Sequence, residues 1–200
     1  MHIPYSEACE RNKDPILAVL QPYLNHTDSV LEIGSGTAQH AVYFAAANPH
    51  LYWQTSDQTT YIEGINAQLS VAKVDNVKKP LVLDVNQNPW LEKSTKFDLV
   101  YSANTFHIMS ASDVEAFFNG LSDVLNRNGT LVVYGPFNYS GRFTSDSNAS
   151  FDQRLRERGE GSSIKDFEWV NELATNEGLS LSEDVRMPAN NQCLIWSKSS

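Results

Sequence analysis

The run Leu31-Glu32-Ile33-Gly34-Ser35-Gly36-Thr37-Ala38-Gln39-His40 constrains this chain more than any other stretch. It follows the apolar step Ser29-Val30-Leu31 and precedes a helical pattern, so it reads as strand, tight turn, helix. Glycines at i and i+2 let the backbone turn sharply and approach a ligand with no Cβ in the way. The helix that follows leaves unpaired N–H groups at its start, which favour a polar or anionic ligand group. Glu32 adds an acidic side chain on the strand itself, two positions before the first glycine. A dinucleotide-binding loop would place a third glycine at Gln39, and its absence argues against a nicotinamide-dependent oxidoreductase. Strand–Gly–helix turns also occur as plain packing devices, so the other strand ends have to decide.

The rest of the chain repeats the same alternation. Asp14 as cap and Pro15 at the first helical position predict a helix carrying Ile16, Leu17, Val19 and Leu20 before Pro22. Strand one is Ser29 to Ile33, and a helix from Thr37 to Ala47 stops before Pro49. Leu51 to Thr55 reads as strand two, closing on Ser56-Asp57, and a helix from Tyr61 to Ala72 leads to strand three, Leu81 to Val85. Phe97 to Ser102 is strand four. Ser112-Asp113-Val114-Glu115 then predicts a capping box for a helix bearing Val114, Phe117, Phe118, Leu121 and Leu125, ended by Gly129. Thr130 to Tyr134 is continuous and apolar, as a buried parallel strand should be. A last helix spans Asp166 to Glu177, and Leu179 to Val185 and Gln192 to Trp196 make two closing strands around a Pro-containing turn. Five rounds of strand and helix predict an α/β, doubly wound parallel sheet.

In such a sheet, ligands bind outside the carboxyl ends of the strands. Strand one delivers Glu32, Gly34, Ser35 and Gly36 there. Strand two delivers Asp57, an acceptor for two ribose hydroxyls or a cap for the next turn. Strand three delivers Asp84 and Val85, with Asp84 placed either to meet an adenine amino group or to cap the turn Asn86-Gln87-Asn88-Pro89. Strand four delivers Asn104, a turn residue or a cofactor contact, and His107, a proton acceptor or a satisfied loop histidine. Buried Glu32 needs donors, from a ligand ammonium or from backbone N–H groups. Strand five presents Gly135-Pro136-Phe137 after Tyr134. The stretch to Lys165 is long for a connection, which suggests a lid or substrate insertion over 138–165. Within it Arg142, between glycine and phenylalanine, is the candidate to orient a carboxylate; Arg154, Arg156 and Arg158 read as a solvated face.

Composition narrows the partners. Two hundred residues suit one domain, 1–200, with 1–28 as an N-terminal helical segment. A net charge of −9 with no basic run disfavours a nucleic-acid substrate, since phosphate neutralisation dominates that affinity. Cys9 and Cys193 match no zinc spacing and read as free thiols, so no metal site is expected. The first fifteen positions are polar, and no apolar run approaches about 18 residues, which predicts a cytoplasmic protein without a membrane span.

Acidic-x-Gly-x-Gly with a small residue at Ala38 resembles the first motif of class I S-adenosylmethionine-dependent methyltransferases. The N-terminal run Tyr5 to Pro15, Gly34 to Ala41, Trp53-Gln54-Thr55-Ser56-Asp57, Tyr134-Gly135-Pro136-Phe137 and Phe143-Thr144-Ser145 together resemble one family closely. It is the domain-of-unknown-function 938 group, also called methyltransferase-like 26, and the likeness spans nearly the whole chain. The resemblance implies a mostly parallel seven-stranded sheet closed by an antiparallel C-terminal hairpin, and S-adenosylmethionine as cofactor. It brings no established substrate. The expected activity is in-line methyl transfer to a small molecule, which needs alignment more than acid–base help. Arg142 would orient a carboxylate acceptor; His107 or Tyr134 would take the proton of a hydroxyl or amine. The alternative is a cofactor-binding module or non-catalytic partner subunit. Monomer and homodimer both stay open.

Overall fold

The computed structural model describes residues 3–92, 94–159 and 161–198. In chain order the elements are α1 (Glu7–Leu24), β1 (Ser29–Ile33), α2 (Gln39–Ala47), β2 (Tyr52–Asp57), α3 (Thr59–Val71), β3 (Val77–Val82), β4 (Phe97–Ala103) and α4 (Ala111–Val124). They continue as β5 (Leu125–Gly135), β6 (Phe137–Asn138), α5 (Asp146–Arg156), β7 (Lys165–Asp166), α6 (Phe167–Asn176), β8 (Leu179–Met187) and β9 (Asn191–Lys198). Seven strands make one sheet in the order β3-β2-β1-β4-β5-β9-β8, and β6 pairs with β7 apart from it. β1 to β5 run parallel, whereas β9 is antiparallel to both β5 and β8. The strand order reverses between β1 and β4, the switch point at which an open α/β sheet leaves a crevice.

Successive side chains leave a strand on opposite faces, and here both faces are covered. Leu31 and Ile33 of β1 join Leu131 and Val133 of β5 in a core under α4, with Phe117, Phe118 and Leu121. Val30, Leu99, Tyr101 and Val132 point the other way, into a second core with Ile16, Leu20 and Leu24 of α1 and Phe44 of α2. That two-sided burial is why β5 reads as an unbroken apolar run.

Four local expectations are corrected. Helix α1 starts at Glu7, not at Pro15: Ser6 is the N-cap, its Oγ accepting from Cys9 N–H, and Pro15 and Pro22 lie inside the helix. An interior proline costs about 3 kcal/mol. Burial of Ile16, Leu20 and Leu24, at about 1.5–3 kcal/mol each, is of a size to offset the two. Strand β3 ends at Val82, so Asp84 lies beyond it. The two lysines and Pro80 that hide this strand from a hydrophobic pattern are acceptable because β3 is an edge strand, paired only with β2. The capping box of α4 is made by Ser110 and Asp113, not Ser112 and Glu115. Gly129 belongs to β5 rather than ending α4, because the chain passes from Val124 directly into that strand.

Helix α4 seats on Trp90 through a glycine. A Cβ on Gly120 would come within 2.2 Å of the Trp90 indole, which also donates Nε1–H to Val85 O at 3.2 Å. Gly120→Val is expected to unfold at lower urea concentration, with at least about 1 kcal/mol lost to overpacking although valine exceeds glycine in helix propensity.

Candidate active site

The glycine turn is held by the strands on either side of it. Gly34 N–H and Ser35 N–H both donate to Ser56 O, at 3.1 and 3.0 Å, and Ser56 N–H returns a bond to Ser35 Oγ at 3.1 Å. Ser56 Oγ donates to Glu32 O at 2.6 Å, and Ser102 Oγ donates to Ile33 O at 2.8 Å. Gly34 has φ +78°, and a Cβ there would lie 2.4 Å from Thr105 Cγ2. Thr105 cannot swing away freely, because its Oγ1 shares a 2.6 Å hydrogen bond with Ser102 Oγ. Gly36, at φ +54° with open space around it, donates its N–H to Asp57 Oδ2 at 2.7 Å, while Gln58 N–H donates to Oδ1 at 2.8 Å. Asp57 therefore does what a cap does, and it also faces the crevice.

A cavity of about 940 Å³ opens over this turn. Its floor is Glu32, Gly34, Ser35, Gly36 and Asp57; Leu83, Val85, Asn104, Thr105 and His107 continue it along the strand ends. Two walls come from segments outside the strand ends: Ser6, Cys9 and Arg11 of the N-terminal region, and Asn148, Phe151 and Arg154 of α5. Of the expected residues, Glu32, Gly34, Ser35, Gly36, Asp57, Val85, Asn104 and His107 meet at this one cavity. Asn104 is a left-handed turn residue as well, with φ +59° and its N–H donating to Tyr134 O at 2.8 Å.

Three expected residues stand outside the cavity. Asp84 Oδ1 accepts from Asn86 N–H at 3.0 Å, so capping the turn is its observed role. Tyr134 lies on the face of β5 that joins the core with α1 and α2, and its hydroxyl accepts from Asn191 Nδ2 at 3.0 Å. Arg142 sits exposed at a tight turn, its backbone exchanging hydrogen bonds with Tyr139 at 3.0 Å. The arginine on the cavity wall is Arg154, which its acidic neighbours in sequence had made look like part of a solvated face.

The N-terminal segment owes its place to Gln39, the position that lacks a glycine. Gln39 Oε1 accepts from Ser6 N–H at 2.6 Å and from Thr37 Oγ1 at 2.9 Å, and its Nε2 donates to Ser6 O at 3.3 Å. One residue on, His40 Nε2 donates to Asn12 Oδ1 at 2.7 Å, and its Nδ1 accepts from the Tyr101 hydroxyl at 3.2 Å. These bonds tie the start of α1 to the glycine loop and to β4.

Burial sets the charge state of the cavity. It pushes the Glu32 carboxyl up to about 7, against the Ser35 hydroxyl and the Trp53 N–H, which lies 3.1 Å from Oε2; nearby Asp57 pushes it further up. Burial likewise raises Asp57, opposed by its bonds from Gly36 and Gln58. Burial lowers His107 to about 4, with Lys165 and Arg158 adding to the effect, and lowers His40 to about 4. Both imidazoles are neutral near pH 7. Lys165, brought down to about 8 mainly by burial, spends its Nζ on Met109 O, Ser163 O and Ser163 Oγ, at 2.7, 2.9 and 3.3 Å. It clamps the loop that carries His107.

Two measurements follow from the turn and its acid. Gly34→Ala meets both a positive φ and the Thr105 contact and should lose more stability than Gly36→Ala, which meets only the left-handed backbone cost of about 1–2 kcal/mol; urea midpoints compare them. For Glu32, the folded carboxyl at about 7 lies above its ordinary 4.5, so the folded state holds the proton longer. Its contribution is present below pH 4.5 and is lost as pH rises through about 7. Glu32→Gln should therefore gain on the parent between pH 4.5 and 8, by up to about 3 kcal/mol at the upper end. Shifts at His40 and His107 run the opposite way but are common to both proteins, so they cancel in the difference.

The same fold recurs in solved structures, methyltransferases among them. The S-adenosylmethionine-dependent methyltransferase SibL, in its apo form, superposes with a TM-score of 0.79 at 18% identity, over 96% of this chain and 56% of its own. Human N-acetylserotonin methyltransferase in complex with SAM gives 0.81 at 12% identity, over 97% and 53%. PigF with SAH gives 0.78 at 12%, over 97% and 64%. The chain thus spans a little over half the length of these proteins and shares the class I methyltransferase fold with them. The family model described as a protein of unknown function, DUF938, matches residues 3–198, and the chain belongs to that family.

Proposed function

We propose that this protein is an S-adenosylmethionine-dependent methyltransferase acting on a small-molecule acceptor. The carrying observation is the pair of carboxylates, Glu32 and Asp57, flanking a glycine turn on the cavity floor. Each oxygen of Asp57 accepts one backbone N–H, and a carboxylate oxygen has a second lone pair, which suits the paired O–H donors of a ribose. Glu32, poised near neutral pH, suits a ligand ammonium, whose charge would draw the carboxyl back to its ionised form. Leu83 and Val85 offer an apolar strip for a flat base, and the space beside Gly36 lets a ligand approach the backbone. The structures of human N-acetylserotonin methyltransferase with SAM and PigF with SAH support the same choice of cofactor.

S-adenosylmethionine, when bound, supplies an activated methyl group for in-line transfer to a nucleophile. The chain's own part is to align and to exclude water. His107 holds a free lone pair at neutral pH and rests edge-on against Phe151 at 5.2 Å, so it can accept a hydrogen bond from an acceptor hydroxyl. With its basicity so reduced it is a positioning group first, and it suits an acceptor that is already anionic or gives up its proton easily. The net charge of −9 favours a small molecule over nucleic acid.

Calorimetry with S-adenosylhomocysteine at high protein concentration tests the cofactor. One-to-one binding is expected, weakened at least about tenfold in Asp57→Ala, which removes a charged hydrogen-bond acceptor. No binding to the wild type overturns the reading. Incubating wild type with methyl-labelled cofactor and a metabolite extract, then reading labelled products by mass spectrometry, separates turnover from binding alone.

A further inference from the structure

Charge is divided along the cavity. The two acids that face it over the glycine turn are Glu32 and Asp57. On the side of β4, His107 feels Lys165 and Arg158, and Arg154 lines the wall; Arg11, the other arginine of the lining, is paired with Glu7 at 3.2 Å. Asp113 also lines that side, but its carboxylate is taken by Asn86 Nδ2 at 2.8 Å and Ser110 N–H at 2.9 Å. Arg154 is different from the arginine two positions on. Arg156 Nε is bound to the buried carboxylate of Asp152 at 2.5 Å, whereas Arg154 has no carboxylate within ion-pair distance among the described residues. Arg154 is exposed, and its Cζ lies 5.8 Å from the centre of the Phe151 ring, the same ring that contacts His107 edge-on. In a chain with more acids than bases, an exposed arginine on a cavity wall, with no acid partner among the described residues, suits an anion.

We propose that the methyl acceptor is a small organic anion, carboxylate-bearing, whose charged group is bound by Arg154 beside His107. This rests on the methyltransferase reading and names the acceptor class for it. A planar fork of N–H donors matches a carboxylate in two parallel bonds, and Phe151, another residue of the cavity wall, lies within cation–π distance of the guanidinium. A methyl can then go either to the carboxylate oxygen itself or to a second nucleophile on the same molecule. In the first case the oxygen lone pair forms the new C–O bond, the sulfonium carbon–sulfur bond breaks with its electron pair on sulfur, and no base is needed.

The test is made so that its failure and that of the cofactor reading differ. Benzoate and its neutral isostere benzamide are titrated into the full chain, with and without S-adenosylhomocysteine, and the His107 ring signals are followed by NMR. Benzoate should shift them saturably and benzamide should not. Arg154→Gln should weaken benzoate at least about tenfold, Arg154→Lys should restore part of the loss, and binding should weaken with added salt. S-adenosylhomocysteine affinity should stay unchanged in both variants. Equal response to benzoate and benzamide, or full benzoate affinity in Arg154→Gln, overturns the proposal. So does a labelled product of the metabolite-extract assay that derives from an uncharged or cationic acceptor. Loss of S-adenosylhomocysteine binding by the wild type, with benzoate still bound through Arg154, would instead remove the transferase and leave the anion site standing.

Discussion

The hydrogen bond from Gly36 N–H to Asp57 Oδ2 is the contact on which the rest of the site depends. It joins the turn after β1 to the end of β2, and it does so with a carboxylate that desolvation would otherwise disfavour. Because the same carboxylate also accepts from Gln58 N–H, the start of α3 and the glycine turn share one anchor. Ser56, one residue earlier, binds the backbone of Glu32, Gly34 and Ser35. The outcome is a braced floor: backbone and side-chain bonds from Ser56 and Asp57 hold the turn, and a preorganised site loses less entropy on binding.

Around that floor the protein adds walls that no strand supplies. Helix α1 is pinned over the turn by Gln39 and by the chain Asn12–His40–Tyr101, so the N-terminal segment is part of the cavity rather than a leader to it. Across the opening, α5 presents Phe151 and Arg154, and the residues that follow it fasten the His107 loop. Ser162 Oγ donates to Ile108 O at 2.8 Å, and Lys165 Nζ donates to Met109 O. A buried lysine whose donors go to carbonyl and hydroxyl oxygens is costly, and it persists because it fixes a loop that bears a cavity residue.

The backbone plan was legible in the sequence wherever burial on both faces wrote it as a long apolar run or a 3.6-residue pattern. β1, β4, β5, β9 and α4 were readable for that reason, whereas β8, an edge strand, is buried only at its two ends. β3 was misplaced because an edge strand has no need of apolar alternation, and the start of α1 was missed because Asp14-Pro15 carries the signature of a first helical turn, whereas packing here places Pro15 inside the helix. Misplacing β3 carried Asp84 with it: a residue taken for a strand end is a turn cap. Arg142 and Tyr134 were misread for a different reason. Both lie near β5 in sequence, but one is turned out by a tight turn and the other is directed to the far face by strand alternation.

By itself the sequence determined the order of the seven sheet strands and the helices between them up to β5, the glycine turn at Gly34 and Gly36, and the acids Glu32 and Asp57 beside it; β6, α5 and β7 were not legible within the 138–165 insertion. These are local matters: period, turn chemistry and strand ends are written within a few residues of one another. Only the tertiary structure decided which distant side chains share the cavity. Ser6, Arg11, His107, Phe151 and Arg154 come from separate parts of the chain. Whether Arg142 or Arg154 lines the cavity depends on the seating of α5 against the sheet. That seating is set by burial of Asn148, Asp152 and Leu155 and by the bond from Ile164 N–H to Asp152, contacts between residues far apart in sequence. No local pattern carries that information, because it exists only once the helix has been packed.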